Sequence, residues 1–525
     1  MNKHKFLTLC YLCLFVVLNS CNSKVSESIS ESSYSISVTP VLQENAPALQ
    51  SFVHAIQGTN WLLFAGRTNR MNDDGGLHGI VSGNYATTSF LPLSFNEDIF
   101  VYDVIKDTVS GMSLEDMKSA ISANSPIAKA QLSVLDQYET VFRNSNPLVA
   151  QDEDYLYVVG GYGTPMGQTT SSDAYQTFNH IAKLHIASMI ALVNGDFKSV
   201  NWKELMAFGE NDKLISTGAE LFLIGDKFYL AGGHNFGSSA PKGSNGQRYV
   251  DAVYPFTITR NLGGPTLTIN TEEPITDMPL DKLGTAYADE NSKFRRRDGP
   301  VVASLYKENN SLREGLSFYS GVFMPDSTVN TTETVNGKEV KKAVQWERAW
   351  TTAIYITPNG SSKFKIDKAY KQTQNVYATA EFEFYDDQSE KVYTYLVGGI
   401  GDGKSAGPLQ LSGFTNGAVQ IIYDLNTATS TWKVENANAY NAQQFYGAES
   451  IFMIADNQAI SYVETVDGTS EVIDINKTLG TNKSIELGYI YGGIESFEAN
   501  PGTYGRGKSR ASDRVWKVTL TRSSN

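Results

Sequence analysis

Six aromatic-rich apolar runs in this chain end in a pair of small residues, and after a loop each is followed by an alternating apolar run. The pairs are Ala65-Gly66, Gly160-Gly161, Gly232-Gly233, Ser320-Gly321, Gly398-Gly399 and Gly492-Gly493, in settings such as YLYVVGGYG, KFYLAGGHNFG and YIYGGIES. The alternating runs begin at Asp98, His180, Asp251, Trp350, Ala418 and Asp513. Self-similarity on this scale is the mark of a repeat architecture, in which one supersecondary unit buries its apolar face only against its neighbours. A residue without a bulky Cβ at a fixed place in each unit lets the backbone bend and approach the next unit closely.

Each unit can be set as four strands. In the second, PLVAQ comes first, YLYVV precedes the glycine pair and HIAKLHI follows the loop. The arrangement resembles the kelch-type propellers, whose blades carry a diglycine after the second strand, and the resemblance covers residues 34–522. It implies an all-β, six-bladed kelch-like β-propeller over residues 34–525. The pairs are spaced more widely than a compact kelch repeat, and the first and fourth lack a true diglycine, so long loops are expected. The last unit ends just after DRVWKVTLTR, one strand short. The segment Tyr34–Leu42 is predicted to supply that outer strand and close the ring, which removes exposed sheet edges. Two short helical insertions are expected, both after third strands. The first spans 113–143, with Ser113 as N-cap, Asp116 three residues on and Pro126 splitting it; the second is Ile186–Val193.

The N-terminus reads as a leader to be set aside before fold reasoning. Lys3, His4 and Lys5 precede an uncharged stretch from Phe6 to Leu18, and Leu18-Asn19-Ser20-Cys21 looks like a lipoprotein cleavage site. Residues 1–20 are then signal peptide, Cys21 is the lipidated residue, and the serine-rich segment through 33 is a flexible tether. All three cysteines (Cys10, Cys13 and Cys21) lie at or before that site, leaving the body no disulfide, zinc-thiolate or cysteine nucleophile. Several acyl chains on one cysteine anchor a protein stably. The expected location is the outer membrane, on the cell surface or periplasmic face.

The formal net charge of −13 becomes two units more negative once the leader is removed with Lys3 and Lys5. A body this acidic repels phosphate backbones, which argues against nucleic acid as a partner. DxDxDG loops, HExxH and paired-histidine spacings are absent, so neither metal nor cofactor is expected. Asp73-Asp74 and Asp386-Asp387 read as solvated turns.

Chemistry is expected where the units' first strands begin. Gly218-Ala219-Glu220, Thr379-Ala380-Glu381 and Gly447-Ala448-Glu449 are similar tripeptides, and Arg297-Asp298-Gly299 stands at the comparable point of the fourth unit. In a propeller these starts line one mouth of the central channel, so the four carboxylates would converge and raise one another's pKa. Compensation is expected from Arg295, Arg296 and Arg297 and from Arg67, which follows the first small pair. Tyr162 and His234 occupy slots analogous to Arg67, and His78 lies later in the Arg67 loop. Such a cleft suits an acidic sugar; the same residues also suit purely structural ion pairing. His54, His180 and His185 read as packing residues.

Three functions fit this reading. The first is a membrane-anchored binding or scaffold module taking a glycan or a membrane-associated protein complex, and it is preferred because loop elaboration dominates and no catalytic motif stands out. The second follows from a distant resemblance to the bacterial sialic acid epimerases, carried by the blade pattern, Arg67 and Arg295 to Arg297. That resemblance implies Glu220, Glu381 or Glu449 as the base, and His234 is a further catalytic candidate from its place in the cleft. The third is a polysaccharide lyase using His and Tyr, although such propellers usually have seven or more blades.

Overall fold

The computed structural model describes residues 33–68, 92–165, 174–236, 247–262, 264–335, 338–372, 376–401, 413–455, 459–499 and 508–523. The chain is mostly β, and among these residues six antiparallel sheets share one plan. Their first strands are Val53–Gln57, Leu148–Gln151, Glu220–Ile224, Val301–Glu308, Ala380–Asp386 and Ile451–Ile454. Each pairs with a second strand that runs into a small-residue pair: Asn60–Phe64, Tyr155–Val159, Lys227–Ala231, Ser311–Phe318, Lys391–Val397 and Ser484–Tyr491. Third strands (Asp98–Asp103, His180–His185, Val253–Arg260, Ala353–Ile356, Ala418–Asp424 and Val515–Arg522) follow outside the second. In sheets one to five the fourth strand comes next in the chain.

Sheet six takes its fourth strand from the other end of the chain. Tyr34–Pro40 pairs antiparallel with Val515–Arg522, from Tyr34 opposite Arg522 to Pro40 opposite Trp516. This is the pairing expected from the missing strand. The Tyr34 ring stands edge-on to Phe384 at 5.0 Å and Tyr393 at 5.1 Å, so the segment is packed against sheet five as well.

The core lies between successive sheets. Trp61 is fully buried among Tyr102, Tyr489 and Tyr491, joining sheets one and six. Phe64 meets Phe142 and the apolar faces of sheets one and two, and Tyr157 meets Phe228 at 4.6 Å between sheets two and three. Tyr355 and Tyr423 make the same contact between sheets four and five. Second strands are covered on both faces, which is why they read as continuous apolar runs rather than as alternation.

The small pairs sit where one sheet meets the start of the next. The Gly66, Gly161 and Gly233 amides donate to the carbonyls of Asn144, Ser216 and Arg296, and Gly493 donates to Leu49. At Gly160, with φ of +69°, a Cβ would run into the Ser216 carbonyl oxygen. Here the glycine is required by close approach as well as by backbone conformation.

The helical insertions form as Leu114–Asn124, Ala128–Leu135 and Ile186–Val193, and Ser113 Oγ accepts from the Asp116 amide. The first helix departs from expectation in its place: it follows the fourth strand of sheet one, Thr108–Ser113, whose last residue is the cap. His180 and His185 are packing groups as expected. His180 stacks on Phe178, and His185 Nδ1 accepts the Ser188 amide at the start of Ile186–Val193.

Among the strand pairings outside the six-sheet plan are two hairpins. Val322–Val335 pairs with Lys338–Ala349 as a long ribbon inserted between the second and third strands of sheet four. The other is inserted between the first and second strands of sheet six and consists of Tyr462–Thr465 and Gly468–Asp474. Its second strand runs parallel to the first strand of sheet five, pairing Phe384 with Ile473 and Tyr385 with Asp474.

Candidate functional site

Six residues prepare the site, each two positions before the first register pair of a sheet, except Asp298, which is three before. Ser51, Asn146, Gly218, Asp298, Ala378 and Glu449 all take positive φ, between 47° and 61°. They are linked head to tail: Asn146 N donates to Ser51 O at 3.1 Å, Gly218 to Asn146 at 3.3 Å, and Asp298 to Gly218 at 2.9 Å. Ala378 then donates to Asp298 at 2.6 Å and Glu449 to Ala378 at 2.8 Å. Ser51 Oγ donates to Glu449 Oε2 at 2.6 Å, so the sixth residue meets the first.

This chain of bonds brings the predicted acids together but not at one level. Asp298 and Glu449 belong to the linked residues. Glu220 opens its strand, paired with Ala231 just before Gly232. In sheet five that place is taken by Ala380, paired with Val397, so Glu381 lies one residue deeper and Glu383 three. The likeness of the three Ala-Glu tripeptides therefore misassigns register, and equivalent positions for Glu220, Glu381 and Glu449 are corrected to a staircase.

All of these carboxyls are pushed toward the protonated form. Glu449 rises to about 7 through burial and the Asp298 charge, against the lowering effects of Ser51, Arg67 and Arg297. Glu220 rises to about 8 through burial and then Glu449, Asp298 and Glu471. Glu381 rises well above the ordinary range through burial, Glu220 and Glu383. The Asp298 carboxyl is raised by burial and lowered by Arg297, whose Nε lies 3.6 Å from Oδ2. It lies directly over the Gly218 α-carbon, where a side chain has no room.

Arg67 and Arg297 join these acids. Arg67 is 3 % exposed and bridges Gln50 through its backbone, with N–H and C=O bonds of 2.9 and 3.0 Å. Burial lowers its pKa to about 10, while Glu449, Tyr175 and Tyr162 favour its charge. Burial also opposes the charge on Arg297, but Tyr249, Asp298 and Tyr377 more than offset it and raise the pKa above the usual arginine value. The Arg297 side chain keeps 26 % exposure and that of Arg295 keeps 14 %. Arg295 lies 3.6 Å from Asp289, with its guanidinium 4.0 Å from the Tyr249 ring centre.

Arg296 does not join them. Its guanidinium donates to the carbonyls of Lys293, Ser320 and Thr352 and lies over Trp350, at 1 % exposure. Successive residues of this triplet face opposite ways, so the ligand-binding role expected of Arg296 is corrected to a structural one. A cavity of about 10 Å³ lined in part by Arg296 and Arg297 holds about one water, too little for a ligand below the site.

Tyr162 and His234 occupy the slots expected of them. Each follows a small pair and bridges the residue just before the positive-φ position, Ser145 and Thr217, as Arg67 bridges Gln50. Tyr162 is packed between Tyr175 and Phe236. His234 Nδ1 is bonded to the Gln247 side-chain amide, and its ring centre is 6.1 Å from that of Tyr249. Burial, then Arg297, hold its pKa well below the ordinary imidazole value, so it is neutral at physiological pH. Sequence reasoning missed Tyr175, Tyr249 and Tyr377 because each acquires its arginine neighbour only through the fold. His78, Cys21 and Asp73-Asp74 lie outside the described residues.

Among the described residues no helix is long and apolar enough to cross a membrane, and no group of three or more His, Cys, Asp or Glu is arranged to hold a metal ion. No protein-family model matches the chain, and no curated protein matches it significantly.

Proposed function

We propose that the six sheets are the blades of a closed, kelch-like β-propeller, tethered to the outer membrane through Cys21, and that it is a binding module. The ring reading is supported by the head-to-tail bonds among six equivalent residues and by the contact of sheet six with sheet one. The ligand is a carboxylate-bearing glycan, or an acidic group on a membrane-associated protein. One observation carries this: Arg297 and Arg295 retain exposure beside Tyr249, while Arg67, Glu449 and Asp298 are arranged behind them. Arginine is the side chain best suited to planar, bidentate carboxylate recognition, and an aromatic wall suits a sugar face.

The test is titration of uronic- and sialic-acid oligosaccharides and their neutral counterparts against the wild-type chain and Arg297→Ala. Acidic ligands should bind and neutral ones not, with at least a tenfold loss in the variant while its circular dichroism is unchanged. Equal binding of neutral sugars, or an unaffected variant, rejects the site.

A second reading, sugar isomerisation or lyase chemistry, is favoured by the neutral His234 and by Glu449 poised near pH 7, where general acid–base groups work best. Proton NMR of the same sugars incubated with the protein separates the readings: new anomeric or unsaturated signals mean turnover, and unchanged spectra mean capture.

A further inference from the structure

The hairpin inserted in sheet six crosses away from its own sheet. Its turn rests on sheet four, where Val466 N donates to Leu312 O at 3.2 Å and Asp467 pairs with Arg313 at 2.8 Å. Glu471 ties it to the same strand and to one more: its amide donates to Glu314 Oε1 at 2.9 Å, and its Oε1 accepts the Leu223 amide of sheet three at 3.3 Å. On sheet five the hairpin adds two rungs beside Phe384 and Tyr385. The short helix that follows is capped by Asp474 and held by Asn476 Nδ2 on Asp386 at 2.7 Å, so this end is pinned. Val463 and Val472 are buried in the core of sheets three to five.

The seat of this hairpin is anionic. Glu314 is 2 % exposed beneath it, whereas water reaches Glu471. Facing Glu314 are Glu471 and Asp467 from the hairpin and Glu383 from sheet five, and Glu471 in turn faces Glu383, Glu220 from sheet three and Tyr462 of the hairpin, with Arg313 of sheet four beside Asp467. Arg313, the cation among them, is engaged with Asp467 and lies 3.9 Å from Glu308.

We propose that the hairpin Tyr462–Asp474 is a proton-operated strap, seated across the ends of the first strands of sheets three to five while Glu314 is protonated and released when Glu314 ionises. Closure buries Glu314, and opening returns it to water. Burial, then Glu471, raises its pKa to about 9. A carboxyl raised by closure holds its proton better in the closed form. Its support for closure is complete below the ordinary carboxyl pKa and is lost as pH rises through the raised one. Opening is therefore favoured progressively from the ordinary carboxyl range up to about pH 9, by up to tenfold per pH unit for the proton released.

Hydrogen exchange of the full chain, corrected for intrinsic rate and read on the peptide spanning 462–474, tests this at pH 6 and pH 9. The open fraction should rise at least tenfold while peptides from the second strands keep their protection. Glu314→Gln keeps an acceptor for the Glu471 amide and should hold the difference below twofold; Glu471→Gln should reduce it and serves if Glu314→Gln fails to fold. Unchanged protection in the wild type, loss of protection throughout the chain together, or a full pH response in a folded Glu314→Gln protein overturns the proposal.

Discussion

Arg67→Ala tests whether the inner arginine is there to neutralise Glu449. The side chain is 3 % exposed, so its removal strips the half-buried Glu449 carboxylate of a cation, which costs up to about 3 kcal/mol. Part of that cost must depend on pH. In the wild type the Glu449 pKa is about 7; without Arg67 it climbs further, because the cation opposes both burial and Asp298. At pH 5 the carboxyl is protonated in both proteins and this contribution vanishes. At pH 8 the wild type has ionised and the variant has not, a difference of about 1.4 kcal/mol. The raised carboxyl thus makes the variant's deficit grow as pH rises through 7. Urea denaturation at pH 5 and pH 8 measures it, with Glu449→Gln and the double variant completing a cycle. In the Glu449→Gln background the deficit should be the same at both pH values. A deficit of Arg67→Ala that is equal at pH 5 and pH 8, or that keeps its pH dependence when Glu449→Gln is also present, refutes the pairing.

Deleting residues 34–40 should expose the edge of Val515–Arg522 and empty the Tyr34 site, giving aggregated or unfolded protein. Tyr34→Ala alone should cost about 3–5 kcal/mol for the lost ring; a wild-type melting temperature in a monomeric truncation rules out the clasp. Cys21→Ser should release the protein from the membrane fraction and abolish palmitate labelling, and unchanged fractionation with label retained would exclude lipidation there.

What was legible in the sequence is what short segments decide. The six small pairs mark places where a Cβ has no room, as at Gly160 and Gly66, and that is readable wherever the chain repeats it. The missing strand of the last unit pointed to Tyr34–Pro40 because only one unassigned alternating segment remained. The convergence of Arg67, Arg297, Asp298 and the glutamates followed from their places beside small pairs and strand starts. Register did not follow, because the level of Glu220 against Glu381 is set by which residue faces the end of the second strand, Ala231 or Val397, and not by the tripeptide around it. The crossing hairpin was hidden for a related reason. Tyr462–Asp474 has the composition of an ordinary strand pair, and nothing local shows that Ile473 pairs with Phe384.

The backbone of the linked residues narrows what Glu449 is for. Asn146, Gly218 and Asp298 adopt positive φ at little expense, being the residue types that visit this region most readily. Glu449, at φ 57°, has no such excuse: an L-residue with a long side chain bears strain there of order 1–2 kcal/mol. Glycine serves the same backbone need in sheet three, at Gly218, so conformation alone does not call for glutamate in sheet six. What glutamate adds is a carboxylate within hydrogen-bond reach of Ser51 and within the field of Arg67 and Arg297. A purely structural strand start would be better built with glycine. Ala378 holds the same conformation at φ 49° with no such chemistry, so what singles out Glu449 is its carboxylate, and an acid with a pKa near 7 beside Arg67 and Arg297 is what the proposed ligand-facing site calls for.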